Sequence, residues 1–238
     1  MEHPADHVSG PGLVAPRSGS PVRFIDEGEA DWRPVVFFGG LGTDVNAFYD
    51  TEFARELREQ LRLRVISVER NGFGMRGFDG TLGYADAVDD VLEVLSMLGV
   101  RRFAVVAISG GAPFAAALAA RVPARVLSLH LAAAVAGPLV ADVGTAAVLY
   151  ANPGLLALDP ALAHEWRLLC SEPLPDLSYL EAPAYLYWGC SDDVVPFAHV
   201  CEWRRVLPSV AALRGYPGEG HDVHYRHWEQ ILHDVAGT

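Results

Sequence analysis

Residues 103–122 read FAVVAISGGAPFAAALAARV. The first six are a continuous apolar run, the pattern of a strand buried on both faces, and residues 110–122 read as a helix. Ser109 stands at the junction, with Ala107 and Gly111 two positions to either side. A sharp strand-to-helix turn needs small residues there, because larger side chains would collide. Such a turn aims the Ser109 hydroxyl away from the sheet, near a helix N-terminus whose free N–H groups and dipole favour developing negative charge. Serine also caps helices without doing chemistry. The strand–turn–helix context favours the nucleophile.

The same alternation extends in both directions. VRFIDEG (22–28), PVVFFGG (34–40) and RVISVE (64–69) read as strands, with a helix over 46–61 between the last two. Residues 83–100 carry Val88, Val91, Leu92, Leu95 and Leu98 at helical spacing, acidic residues near the N-terminal end and Gly99 at the other. RVLSLHLAAA (125–134) is a strand, and then the alternation breaks over 135–181, an Ala/Leu/Pro-rich insertion without a clear strand. AYLYWG (184–189) resumes the sheet. A helix follows, opened by Pro196 and ended before Pro208, then the strand AALRGYP (211–217) and a helix over 224–235. This is the signature of an α/β domain with a mainly parallel sheet flanked by helices. The expected organisation is a loose N-terminal arm at 1–20, a core at 21–134 and 182–238, and a short helical lid at 135–181.

A serine hydroxyl is a weak nucleophile and needs a base oriented by a carboxylate. Gly-Glu-Gly-His (218–221) follows the last strand, and its two glycines let the backbone bend so that His221 reaches inward. Gly-Cys-Ser-Asp-Asp-Val-Val-Pro (189–196) follows the preceding strand and offers Asp192 at the C-terminal sheet edge, where such folds gather functional groups. Its neighbour Asp193 is the rival.

The blocks VVFFGGLG (35–42), ERNGFG (69–74), AISGGA (107–112), GCSDDVVP (189–196) and GEGH (218–221) resemble those of the α/β-hydrolase superfamily, in the chain order Ser…Asp…His. The resemblance runs from about Val22 to Val235 and is weakest over 135–181. It implies a cofactor-independent serine hydrolase with Ser109, Asp192 and His221 as catalytic triad. It also implies an oxyanion hole from the Gly40 and Gly110 N–H groups and a short lid. Leu41, Ile108 and, from the lid, Tyr150 and Trp166 are the expected substrate contacts. Three departures stand out. Phe38 replaces a common histidine, Ala107 replaces the first elbow glycine, and Asn71 and Arg76 replace a proline and a serine in a loop expected beside the pocket.

Composition narrows the classes further. A net charge of −12 repels polyanions and argues against nucleic-acid or anionic-membrane partners. All 18 basic residues are arginine, which closes Schiff-base, pyridoxal-phosphate and Walker-lysine chemistry. Cys170, Cys190 and Cys201 form no CxxC and read as free thiols. No apolar stretch is long enough to span a bilayer and the N-terminus lacks a signal pattern, so a cytoplasmic protein is expected. GFGMRG (72–77) matches a dinucleotide fingerprint, but the residues after it are hostile to the required helix. His221, His224 and His227 lie three apart, with His224 and His227 expected on an exposed helix face rather than at a metal. His130 is expected as a hydrogen-bonded core residue. The expected substrate is an ester, lactone or thioester of a small to medium apolar molecule. The alternatives are a lyase, cyclase or acyltransferase of the same fold, or a small-molecule receptor that retains the triad.

Overall fold

The computed structural model describes residues 10–14, 21–138 and 158–238. Within them, eight strands form one sheet in the order β1-β2-β4-β3-β5-β6-β7-β8. They are β1 (Gly10–Val14), β2 (Val22–Glu27), β3 (Arg33–Phe38), β4 (Leu63–Val68), β5 (Phe103–Ile108), β6 (Val126–Ala132), β7 (Ala184–Gly189) and β8 (Val210–Tyr216). The β1–β2 and β2–β4 pairs are antiparallel, and all other pairs are parallel.

Alternation along the strands divides the core between two faces. Val36 and Phe38 of β3, with Val105 and Ala107 of β5, pack into one cluster. It includes Val91 and Leu95 of helix α2 (Tyr84–Met97), Phe114 and Leu118 of α3 (Ala112–Arg121), and Trp203 of α5 (Phe197–Val206). Val35 and Phe37, with Ala104, Val106 and Ile108, face the other way against Phe48 and against Trp228, Ile231 and Leu232 of α7 (Trp228–Ala236). Burial on both faces explains why β5 is apolar throughout; β4 is buried along its whole length too, but carries Ser67 and Arg64, whose charge is paired with Asp26 of β2.

Three elements differ from the sequence expectation. The arm at 1–20 is not loose throughout: Gly10–Val14 pairs with β2 as the edge strand. Its Gly and Pro disguise it, but Pro is tolerated at an edge, and a Cβ on Gly12 would lie 2.1 Å from the Phe24 ring. The helix expected over 46–61 is a 3₁₀ helix at Val45–Ala54 followed by α1 (Arg55–Gln60). The final helix is interrupted at His227, between α6 (Val223–Arg226) and α7. His227 stacks on Tyr216 at 3.6 Å between ring centres and meets the Glu219 carboxylate at 2.9 Å.

Within the expected lid, α4 (Pro160–Ser171) is helical. Asp159 caps it by accepting from the Ala161 and Leu162 N–H groups at 2.9 and 3.0 Å. Residues 139–157 of the lid, including Tyr150, lie outside the described residues. No helix among the described residues is long and apolar enough to cross a membrane.

Candidate active site

The chain leaves β5 and turns at Ser109, whose φ of +50° lies in the left-handed region. A non-glycine residue there is strained and is held by its surroundings. Those surroundings demand small neighbours. A Cβ on Gly111 would lie 2.4 Å from the Gly39 carbonyl oxygen, and one on Gly110 would lie 2.8 Å from Leu41 Cβ. The elbow is therefore wedged against the loop that follows β3. A Cβ on Gly40 would in turn stand 3.8 Å from Ser109 Cβ.

Ser109, His221 and Asp192 meet at the C-terminal edge of the sheet. His221 Nε2 lies 3.1 Å from Ser109 Oγ, and His221 Nδ1 lies 2.9 Å from Asp192 Oδ2. Asp192 is buried, and its other oxygen accepts from the N–H groups of Val194 and Val195 at 2.9 and 2.8 Å. One carboxylate oxygen is thus fixed by the backbone and the other faces the imidazole. Asp193 is exposed and takes no part in this chain. The histidine loop is itself clamped: the Ser191 N–H donates to the Glu219 carbonyl at 2.8 Å, and a Cβ on Gly189 would sit 2.3 Å from the Gly220 oxygen.

A cavity of about 440 Å³ opens beside these groups. Its described lining includes Gly40, Leu41, Ile108, Ser109, Val194, His221, His224 and Tyr225. Leu41 and Ile108 both line this cavity. Trp166 is not among the described lining residues. It is buried in a cluster with Val135, Leu169 and Val195, against which Leu41 and Val194 pack, so it backs the wall.

Asn71 and Arg76 are likewise absent from the described lining. Asn71 ties its loop together through Asp79, and Arg76 pairs with buried Asp90 of α2. Residues 72–77 form a loop that precedes no helix until Tyr84, as expected.

Three residues at the site were not assigned to it from sequence. His224, expected on an exposed face, is buried and lines the cavity with its ring edge-on to His221 at 5.8 Å. Burial, with His221 beside it, lowers its pKa to about 4 and keeps it neutral near pH 7. Arg70, from the loop after β4, donates to the carbonyl oxygens of Gly39 at 2.8 Å, Gly40 at 2.6 Å and Thr43 at 3.1 Å. Its Nε lies 2.8 Å from Glu165 of α4, and Glu165 accepts from the Gly42 N–H at 2.9 Å. Both side chains are only 6% exposed.

The model of the α/β-hydrolase fold family matches residues 33–169, more than half of the chain. The chain belongs to the α/β-hydrolase fold family. Solved structures agree on the fold. A bacterial membrane phospholipase A described as a virulence factor is 21% identical, with a TM-score of 0.75 over 97% of this chain and 87% of that one. A thermophilic esterase from Thermogutta terrifontis is 16% identical, with a TM-score of 0.70 over 96% and 97%. The bottromycin epimerase BotH is 20% identical, with a TM-score of 0.71 over 96% and 98%. No curated protein matches the chain. Across this family, the sharp turn after a central strand is the position from which a nucleophile is presented.

Proposed function

We propose that the protein is a serine hydrolase acting on a neutral ester, lactone or thioester of a small to medium apolar molecule. The observation that carries this reading is the unbroken chain Ser109–His221–Asp192 at the floor of a cavity. Ser109 Oγ attacks the carbonyl carbon while His221 Nε2 takes its proton. Asp192, accepting from His221 Nδ1, fixes the tautomer and stabilises the imidazolium. The Gly40 and Gly110 N–H groups serve the developing oxyanion. His221 then returns the proton to the leaving group, and a water activated by His221 releases the acyl group and restores Ser109.

The wall supports a neutral substrate: no arginine is among its described residues, and its carboxylate, Asp222, is paired with Arg226. Leu41, Ile108, Val194 and Tyr225 offer an apolar surface instead.

The test is an acyl-chain-length series of neutral esters and thioesters, with an anionic ester as comparison, run on wild type and Ser109→Ala. Wild type should turn over the neutral series, and Ser109→Ala should lose activity by at least about a thousandfold. Full activity in Ser109→Ala would sink the assignment. A second reading draws on the likeness to an epimerase: the same groups move a proton without hydrolysis. It gains if Ser109 reacts with a fluorophosphonate while no acyl substrate is cleaved. A triad-retaining receptor would instead bind a ligand with turnover near zero and a large rise in melting temperature.

A further inference from the structure

We infer that Arg70 and Glu165 are positioning residues that set the geometry of the oxyanion-binding loop and couple it to the lid helix. The inference rests on the hydrolase reading above and deepens it. The Gly39–Gly40 and Gly40–Leu41 peptides are trans, so each carbonyl and the following N–H point in opposite directions. Arg70 holds the carbonyls of Gly39 and Gly40 on one side of the loop. The N–H groups of Gly40 and Leu41 are thereby turned to the other side. Gly40 stands against Ser109. A guanidinium suits this task because its rigid, planar fork reaches two carbonyls with its two terminal nitrogens while its charge lies against the Glu165 carboxylate.

Glu165 completes the device from 95 residues away in sequence. It neutralises Arg70 and also takes the Gly42 N–H, at a residue whose φ is +71°. The lid helix touches the same spot: a Cβ on Gly42 would lie 2.8 Å from Leu162 Cδ1. The Phe73 and Phe114 rings flank the guanidinium, with its carbon 5.9 and 5.0 Å from their centres. The loop is thus gripped from the β4 side and from α4 at once. A change in how α4 docks is transmitted directly to the peptide planes of the loop.

The experiment compares wild type with Glu165→Gln, Arg70→Lys, Arg70→Met and the double variant Arg70→Met/Glu165→Met. The readouts are kcat and KM for p-nitrophenyl butyrate, the rate of Ser109 labelling by a fluorophosphonate, and the melting temperature. Removing one oxyanion donor outright costs about 10²–10³-fold in kcat, so a displaced donor should cost about tenfold or more. We expect kcat and labelling rate to fall together by about that factor, with KM within about twofold. Arg70→Lys should fall with Arg70→Met, because an ammonium keeps the charge but not the fork.

The double variant removes both buried charges, which is often neutral for stability, and keeps the test open if Arg70→Met does not fold. A lower melting temperature with kcat and labelling within twofold of wild type, in the double variant or in Glu165→Gln, overturns the inference. A wild type that is labelled but cleaves no ester sinks the hydrolase reading alone, and the labelling rates then decide this one. A wild type that is neither labelled nor active overturns both.

Discussion

Asp192 and Asp193 are adjacent in sequence and occupy opposite environments in the fold. Asp192 is 6% exposed, with two backbone N–H groups on one oxygen and His221 on the other. Asp192→Asn should therefore lower kcat by about 10³–10⁴-fold, because an amide presents the wrong hydrogen-bonding partner to Nδ1 and stabilises no imidazolium. Asp193→Asn should stay within about twofold. Equal losses in the two variants, measured on the same ester, would refute the assignment of the acid. Gly111 makes a purely steric prediction. A methyl group 2.4 Å from the Gly39 oxygen cannot be accommodated without backbone movement, so Gly111→Ala should destabilise the fold by about 1–3 kcal/mol. Urea unfolding of that variant reads the difference, and an unchanged midpoint would mean that the elbow is looser than described.

At the scale of elements, most strands were legible because burial on both faces leaves a run of apolar residues that needs no distant information. The exceptions have local physical reasons. In the segment Val45–Ala54 the buried residues are Val45, Phe48, Thr51 and Ala54, a strict spacing of three. That spacing suits three residues per turn, where i and i+3 eclipse, and not an α-helix. β1 was hidden because GPGLV has poor strand propensity, and only its pairing with β2 and the Phe24 ring over Gly12 make it a strand. Helix α4 was expected only as part of a helical insertion, yet its start is marked by Asp159 followed by Pro160. Replacing Asp159 with Ala removes two capping bonds and should cost about 1 kcal/mol of unfolding free energy. A urea midpoint indistinguishable from wild type would mean that α4 is held by packing alone.

For the molecule as a whole, three buried histidines make stability depend on pH. Burial lowers the pKa of His130 to about 3, with Asp234 opposing and Arg33 adding to the shift. It lowers that of His224 to about 4 and also depresses that of His199. His130 sits in a polar network with Tyr187 and Ser128, and Tyr187 donates to Asp234, which also takes Arg214. In the unfolded chain these imidazoles bind a proton near pH 6.5. Between that pH and the folded values the unfolded state holds more protons. The histidine contribution is therefore full above pH 6.5 and is lost as pH drops towards 4, opposed in part by Asp90 and Glu165, whose carboxyl pKa values burial raises. By pH 5 the loss is about 2 kcal/mol each for His130 and His224. Urea midpoints at pH 7.5 and pH 5 measure this, and His130→Gln should have a visibly shallower slope than wild type. A midpoint that does not move between the two pH values would refute it.

The sequence alone determined the α/β architecture, the elbow at Ser109 and the order of Ser109, Asp192 and His221. These features rest on local constraints: apolar runs, small residues at a tight turn, and glycines in a loop. Tertiary structure set Asp192, the aspartate the sequence favoured, against the histidine, and it alone decided that His224 faces the cavity and that Arg76 and Asn71 serve their own loop. It also joined Arg70 to Glu165 across the chain. The reason is physical. A strand or a turn is specified by residues within a few positions of one another. The partner of a buried charge is whichever opposite charge the packing of distant elements brings within reach, and no periodicity in the chain records that choice.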